Sequence, residues 1–220
     1  MSEKPMSGMY DEYGALYIPP GYGKIHFGRT ELMHIGIAVL VLTLAFTLAM
    51  LSGNSYSLYT FAIVFAIAAV AVLTGFLLHE LMHKFVAQRY GAWAEFRIFP
   101  MGLMLALVFS FFGFVFAAPG AVYIQGRITP KQNGLISAAG PGLNLALAAV
   151  FLVASMAFPF GTLAYFAFMT VGTINSFLAL FNMVPVPPLD GSKVLMWSKP
   201  VYILMLAASA VALAYAWGFI

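Results

Sequence analysis

The 220-residue sequence contains no cysteine and very few charged residues, and each shortage excludes a class of protein. Without cysteine there are no disulfides, thiolate metal ligands or cysteine nucleophiles, so any bound metal must be held by His, Asp or Glu. Only 8% of the residues are charged and 63% are hydrophobic, whereas a soluble globular domain carries roughly a quarter charged residues. With a mean hydropathy of +0.96, the chain is predicted to be an integral membrane protein.

The formal net charge of +3 does not indicate a nucleic-acid-binding protein. The ten Lys and Arg residues are spread along the chain and form no basic cluster. In membrane proteins such residues gather in the cytoplasmic loops. We therefore interpret the positive balance as a signal of topology and expect no nucleic-acid partner.

Five apolar stretches are long enough to cross a bilayer, which takes about 20 residues. Residues 32–78 and 132–189 contain no Asp, Glu, Lys or Arg, and turn residues at 52–57 and 158–161 divide each stretch into two. We expect residues 1–32 to form an amino-terminal arm and residues 33–220 a single membrane-embedded domain. The predicted spans are 33–51, 58–83, 134–157, 160–184 and 200–218.

The apolar segment near residues 95–126 is ambiguous, because it is rich in Phe and Val but interrupted by Gly and Pro. If it does not cross, all ten basic residues lie on one side of the membrane. If it crosses, Arg127 and Lys131 fall on the opposite side from Lys84, which breaks the positive-inside pattern. We therefore predict an α-helical integral membrane protein with five transmembrane helices and a re-entrant or β-hairpin segment at 95–126. A sixth helix is the alternative.

The stretch His79-Glu80-Leu81-Met82-His83 matches the pattern H-E-x-x-H at the end of the second predicted span. Helical residues four apart lie on one face, so His79 and His83 can each offer a ring nitrogen to one metal ion, with Glu80 beside them. Two histidines with a third protein ligand are typical of catalytic zinc sites. Histidines that merely cap a helix would not need a glutamate between them. The motif therefore predicts one Zn²⁺ per chain.

The third metal ligand must come from another part of the chain. The extended pattern that supplies a further Gly and His fails, because Val86 and Arg89 occupy those positions. Glu95 lies between two arginines, where a surface ion pair is the better explanation. Asp190 follows an uncharged segment broken by prolines, where an unpartnered carboxylate would be costly. The predicted topology brings Asp190 and His79 to the same membrane face.

Two motifs together resemble those of the site-2 protease family of intramembrane zinc metalloproteases. The first is HELMH at 79–83, and the second is NMVPVPPLDG at 182–191, which is similar to the family pattern N-x-x-P-x-P-x-x-D-G. The stretch AAGPGLN at 138–144 is similar to a helix start that the family has between the two motifs. The resemblance covers residues 60–195 and implies a membrane-embedded protease.

The resemblance also implies a role for each motif residue. His79, His83 and Asp190 would be the zinc ligands, Glu80 the catalytic general base, and Asn182 a substrate-binding residue. For Asn182 a helix-end cap is an equal alternative. For Asn144, in the middle motif, an interhelical hydrogen bond is the favoured interpretation.

The implied activity is hydrolysis of peptide bonds within or near transmembrane segments of membrane-protein substrates. The protein would be a multi-pass protein of the cell membrane, in contact with lipid and with a substrate transmembrane helix, and its active site would lie near the cytoplasmic face. Strands predicted within 95–103 or 114–125 could bind substrate along an exposed edge. The alternative is a non-catalytic metal-binding membrane protein or a transporter, although the internal repeats common in transporters are not evident.

Overall fold

A computed structural model describes residues 25–115 and 118–220, so most of the predicted arm over 1–32 lies outside the described residues. Five of the described helical segments are long and apolar enough to cross a membrane. The division into an arm and a single domain stays a prediction. In chain order the elements are α1 (Arg29–Leu51), α2 (Leu58–Val72), a π-helical turn (Leu73–Leu77), α3 (Leu78–Arg89), β1 (Trp93–Ile98), α4 (Pro100–Ser110), β2 (Gly120–Gln125), α5 (Pro130–Ser155), α6 (Leu163–Asn182), α7 (Asp190–Trp197) and α8 (Lys199–Ala216).

The second span is one continuous 32-residue helical segment, Leu58–Arg89, that contains the π-helical turn. In this turn the amide of Leu78 donates to the carbonyl of Leu73, five residues back. Two buried asparagines from neighbouring helices bind the wide turn. The amide of Asn144 donates to the Gly75 carbonyl at 3.1 Å, and the amide of Asn175 donates to the Thr74 hydroxyl at 3.0 Å. The prediction that Asn144 makes an interhelical hydrogen bond is confirmed.

The segment between the second and third spans folds back on itself. Strands β1 and β2 pair antiparallel, with Trp93 opposite Gln125 and Ile98 opposite Gly120. Helix α4 lies between them and has 11 residues. It is about 17 Å long, too short for a hydrocarbon core of about 30 Å. The predicted fold class, five spanning helices with a β-hairpin or re-entrant segment at 95–126, is confirmed, and the alternative of a sixth spanning helix is wrong for the described residues.

Helix α5 packs against α3, α6, α7 and α8, and therefore lies at the centre of the bundle. Small residues allow these close contacts, as is usual between membrane helices. A Cβ atom on Gly134 would lie 2.3 Å from the Trp197 side chain of α7, and one on Gly172 of α6 would lie 2.7 Å from Leu152. Because α3 and α7 both pack against α5, residues of α3 and α7 can meet beside it.

Candidate metal centre

Three side chains from two distant parts of the sequence converge in the bundle. His79 and His83 lie one turn apart on α3, and Asp190 is the first residue of α7. The two Nε2 atoms are 3.0 Å apart, and Asp190 Oδ2 lies 3.4 Å from His79 Nε2 and 3.1 Å from His83 Nε2. The residues are only 4%, 7% and 9% exposed, respectively. Among the described residues this is the one group of three that could hold a metal ion.

The separations of these atoms fit a zinc ion. Ligand distances of about 2.0–2.2 Å in a tetrahedral site place neighbouring ligand atoms about 3.3–3.6 Å apart, close to the observed separations. The Nδ1 atom of His83 lies 2.8 Å from the carbonyl oxygen of Ile136. Because a carbonyl only accepts, Nδ1 carries the proton, and the lone pair of His83 Nε2 therefore points towards the other two ligand atoms.

The proline-broken end of α6 places Asp190. A Cβ atom on Gly191 would lie 2.3 Å from the Met183 carbonyl oxygen, so only glycine lets α7 begin this close to the end of α6. Burial would raise the pKa of the Asp190 carboxyl. The two neighbouring imidazoles, His83 above all, outweigh burial and hold that pKa well below its usual range. The carboxylate is therefore ionised at neutral pH, as a metal ligand must be.

The side chain of Glu80 lies between the metal-binding helix and the sheet. Its Oε2 atom accepts a hydrogen bond from the amide of Val122 in β2 at 3.2 Å. Glu80 directly follows His79 in the sequence, and its carboxylate contacts the edge of β2 that faces away from β1. This position suits a group that handles protons beside the metal.

Gly140 of α5 lies directly against the two histidine rings. A Cβ atom there would be 2.5 Å from His83 Nε2 and 2.8 Å from His79 Cε1. We expect Gly140→Ala to displace the rings and weaken zinc binding by at least about tenfold, within the range typical of residues that orient metal ligands. Zinc per purified chain and competition with a chelator would measure the effect.

Gly142→Ala is the matched control for this experiment. It lies in the same helix, and its added Cβ atom would meet only Met205 Cε, at 3.8 Å. We expect this variant to keep its zinc. Equal zinc affinity in the two variants would show that Gly140 does not shape the site.

Two other residues that the sequence singled out do not join the cluster. Glu95 forms an ion pair with Arg97, as predicted. The amide of Asn182 donates to the carbonyl of Leu178 in its own helix at 2.9 Å, which is the helix-end arrangement; its substrate role stays a prediction. Sequence reasoning missed the contributions of Ile136 and Val122, because both act through the backbone.

Comparison with known proteins gives relatives of one kind. No family model and no solved structure matches the chain. A Methanocaldococcus jannaschii protein named "Putative zinc metalloprotease MJ0611" is 42% identical over 181 residues, which cover 81% of this chain and 90% of that protein. "Zinc metalloprotease MJ0392" of the same organism is 30% identical over 135 residues, or 61% of this chain and 34% of that protein. "Putative zinc metalloprotease YwhC" of Bacillus subtilis is 33% identical over 147 residues, or 57% of this chain and 66% of that protein.

These relatives agree with the geometry of the cluster. Their names specify zinc, and the three converging side chains have the donor types and separations that zinc requires. Zinc is thus the cofactor, and the names favour a metalloprotease over the alternative of a non-catalytic metal-binding protein or transporter. The chain belongs to the site-2 protease family of intramembrane zinc metalloproteases.

Proposed function

We propose that the protein hydrolyses peptide bonds within or near transmembrane segments of membrane-protein substrates. His79, His83 and Asp190 hold the Zn²⁺ ion, and Glu80 is the general base. The observation that carries this proposal is the buried three-residue cluster with Glu80 beside it, at the end of a membrane-spanning helix. A protease of soluble substrates would have no need to build its site into such a helix.

The chemistry follows from the position of Glu80. When bound, zinc polarises the substrate carbonyl and lowers the pKa of a water molecule to about 7. The Glu80 carboxylate takes a proton from the attacking water, whose oxygen forms a bond to the carbonyl carbon. The C–N bond then breaks, and Glu80 delivers the proton to the leaving nitrogen. Ile136 keeps the His83 ring in the orientation that this arrangement needs.

The substrate docks as an added strand on the outer edge of β2. The Val122 amide points away from β1 and donates to Glu80, so the general base lies at this edge, and the substrate would pair through the outward-facing groups on either side of Val122. Amide directions alternate along an antiparallel strand, so those of Gly120 and Ile124 share the direction of Val122. A substrate segment paired there lies extended beside the metal, as proteolysis of a formerly helical segment requires.

The active site lies near the cytoplasmic face of the cell membrane. Arg29 at the start of α1, Arg89 at the end of α3 and Lys199 at the start of α8 belong to the helix ends next to the site. The loops at the opposite ends, 52–57 and 158–161, contain no basic residue. This asymmetry supports an orientation with the site towards the cytoplasm.

The cleavage positions in native substrates test the proposal. Membrane proteins that accumulate uncut in cells carrying an inactive variant are identified by mass spectrometry, and the new termini formed by the wild-type enzyme are mapped. We expect these termini within or beside a transmembrane segment. Termini found only in soluble proteins, or only in loops far from any such segment, would contradict the proposal. An unstructured soluble protein serves as the control substrate and should be cut poorly.

A further inference from the structure

Lys84, the residue after the second histidine of the motif, is fully buried. Its Nζ atom lies 2.8 Å from both carboxylate oxygens of Glu31, in the first turn of α1, and 2.8 Å from the carbonyl oxygen of Ala94 in β1. A lysine ammonium has three N–H donors, and here each has an acceptor. The ammonium also lies 4.6 Å from the centre of the Phe27 ring. Lys84 thus binds a strand as well as another helix.

Glu31 makes the corresponding contacts from the other side. It is fully buried, and its Oε1 atom accepts a hydrogen bond from the amide of Phe96 in β1 at 3.0 Å. Its Oε2 atom accepts from the Gly28 amide at 3.4 Å. The Glu31–Lys84 pair therefore joins α1, α3 and β1 in one hydrogen-bonded network.

The two edges of the sheet are bound by two different glutamates. Phe96 lies opposite Val122 in the ladder. The Phe96 amide points away from β2 and donates to Glu31, whereas the Val122 amide points away from β1 and donates to Glu80. The inner edge of the sheet is consequently closed by the Glu31–Lys84 pair, and the outer edge faces the general base.

We propose that Lys84 and Glu31 are positioning residues that hold the sheet so that the outer edge of β2 lies beside Glu80. They anchor β1, and the ladder between the strands passes this restraint to the outer edge of β2. The proposal rests on the function proposed above, since that edge is where substrate would dock. A pair that served only to join α1 to α3 would need neither the Ala94 carbonyl nor the Phe96 amide.

The test compares two double variants of the full-length protein in lipid. Glu31→Gln with Lys84→Met removes both buried charges together, so that neither is left unpaired, and Gln keeps an acceptor for the Phe96 amide. The matched control is Glu95→Gln with Arg97→Gln, which removes an ion pair between two side chains of β1 itself. Zinc content and kcat/KM for a membrane substrate are measured for both.

The position of β2 is measured directly. The chain has no cysteine, so spin labels can be attached at Tyr123→Cys in β2 and Met196→Cys in α7, both exposed positions. In the Glu31/Lys84 variant we expect a broader distance distribution between the labels and at least a tenfold fall in kcat/KM, with zinc content unchanged. The control variant should keep the narrow distribution and stay within twofold of wild-type kcat/KM.

Several outcomes would overturn the proposal. An unchanged distance distribution would show that the pair does not hold the sheet. Unchanged kcat/KM despite a broader distribution would show that cleavage does not depend on the strand position that the pair holds. Loss of zinc would assign the pair to the metal-binding helix instead. Equal broadening in the control would remove any special role for Glu31 and Lys84. None of the spin-label results depends on which substrate is cut.

Hydrogen exchange in the wild-type protein provides a second test, which holds even if the double variant does not fold. The Phe96 amide points away from its partner strand but is bound by Glu31, so we expect it to exchange at least tenfold more slowly than the Ile124 amide on the outer edge. Equal exchange rates for the two amides would contradict the proposed anchor.

Discussion

Replacing Glu80 with glutamine is expected to lower kcat/KM for a membrane substrate by about 10²–10⁴-fold, the range that a positioned general base contributes, while zinc binding persists. Glutamine has nearly the size of glutamate and can still accept the hydrogen bond from Val122, but it cannot take a proton from water. Zinc per chain and cleavage of a reconstituted substrate are the two measurements. Loss of cleavage with retained zinc identifies Glu80 as a proton carrier, whereas loss of both would identify it as a metal ligand.

Glu95→Gln is the control for this experiment. The Glu95 carboxylate pairs with Arg97 in the same strand, and we expect its neutralisation to leave both measurements near the wild-type values. Unchanged cleavage in Glu80→Gln would contradict the assigned mechanism. Parallel loss of zinc and cleavage would instead place Glu80 among the groups that hold the metal.

Replacing Asp190 with alanine should remove most of the bound zinc. The substitution deletes one of the three proposed ligands and leaves His79 and His83 as an incomplete set. We expect zinc affinity to fall more than the roughly 10–100-fold seen when only a supporting residue is lost. Titration against a chelator of known affinity gives the change, and cleavage should fall with zinc occupancy.

The other acidic candidate for the third ligand supplies the comparison. Glu95→Ala is expected to retain zinc, because Glu95 lies outside the cluster in the part of the chain that the structure describes. Full zinc occupancy in Asp190→Ala would contradict the assignment of Asp190. Loss of zinc in Glu95→Ala alone would make Glu95 the third ligand.

The spans could be predicted because charge is so scarce. Stretches without Asp, Glu, Lys or Arg, such as 32–78, can avoid the cost of burying charge in lipid, and short polar turns divide them. The π-helical turn at Leu73–Leu77 could not be predicted, because a helix that is apolar on all sides has no polar face to reveal its register. Which helices pack against each other could not be predicted for the same reason.

The three-residue cluster could be predicted because His and Asp are recognisable in the sequence as possible metal ligands. The spacing of His79 and His83 fixes them on one helical face, and Asp190 is conspicuous after a long uncharged segment. Gly140 gives no comparable signal, since its contribution is the lack of a side chain. Counting basic residues placed Lys84 at the positively charged membrane surface, whereas the ammonium is buried against Glu31. A count of charges contains no information about partners.

The π-helical turn also constrains how the chain can change. A turn closed over five residues holds about one residue more than an α-helical turn, and one residue corresponds to about 100° around the helix axis. The side chains of α3 are therefore rotated about the helix axis, relative to those of α2, from the positions that an uninterrupted α-helix would give them. Because α2 is held by α1 and α6, a one-residue insertion or deletion between Gly75 and His79 would rotate both histidines by about 100°, out of line with Asp190.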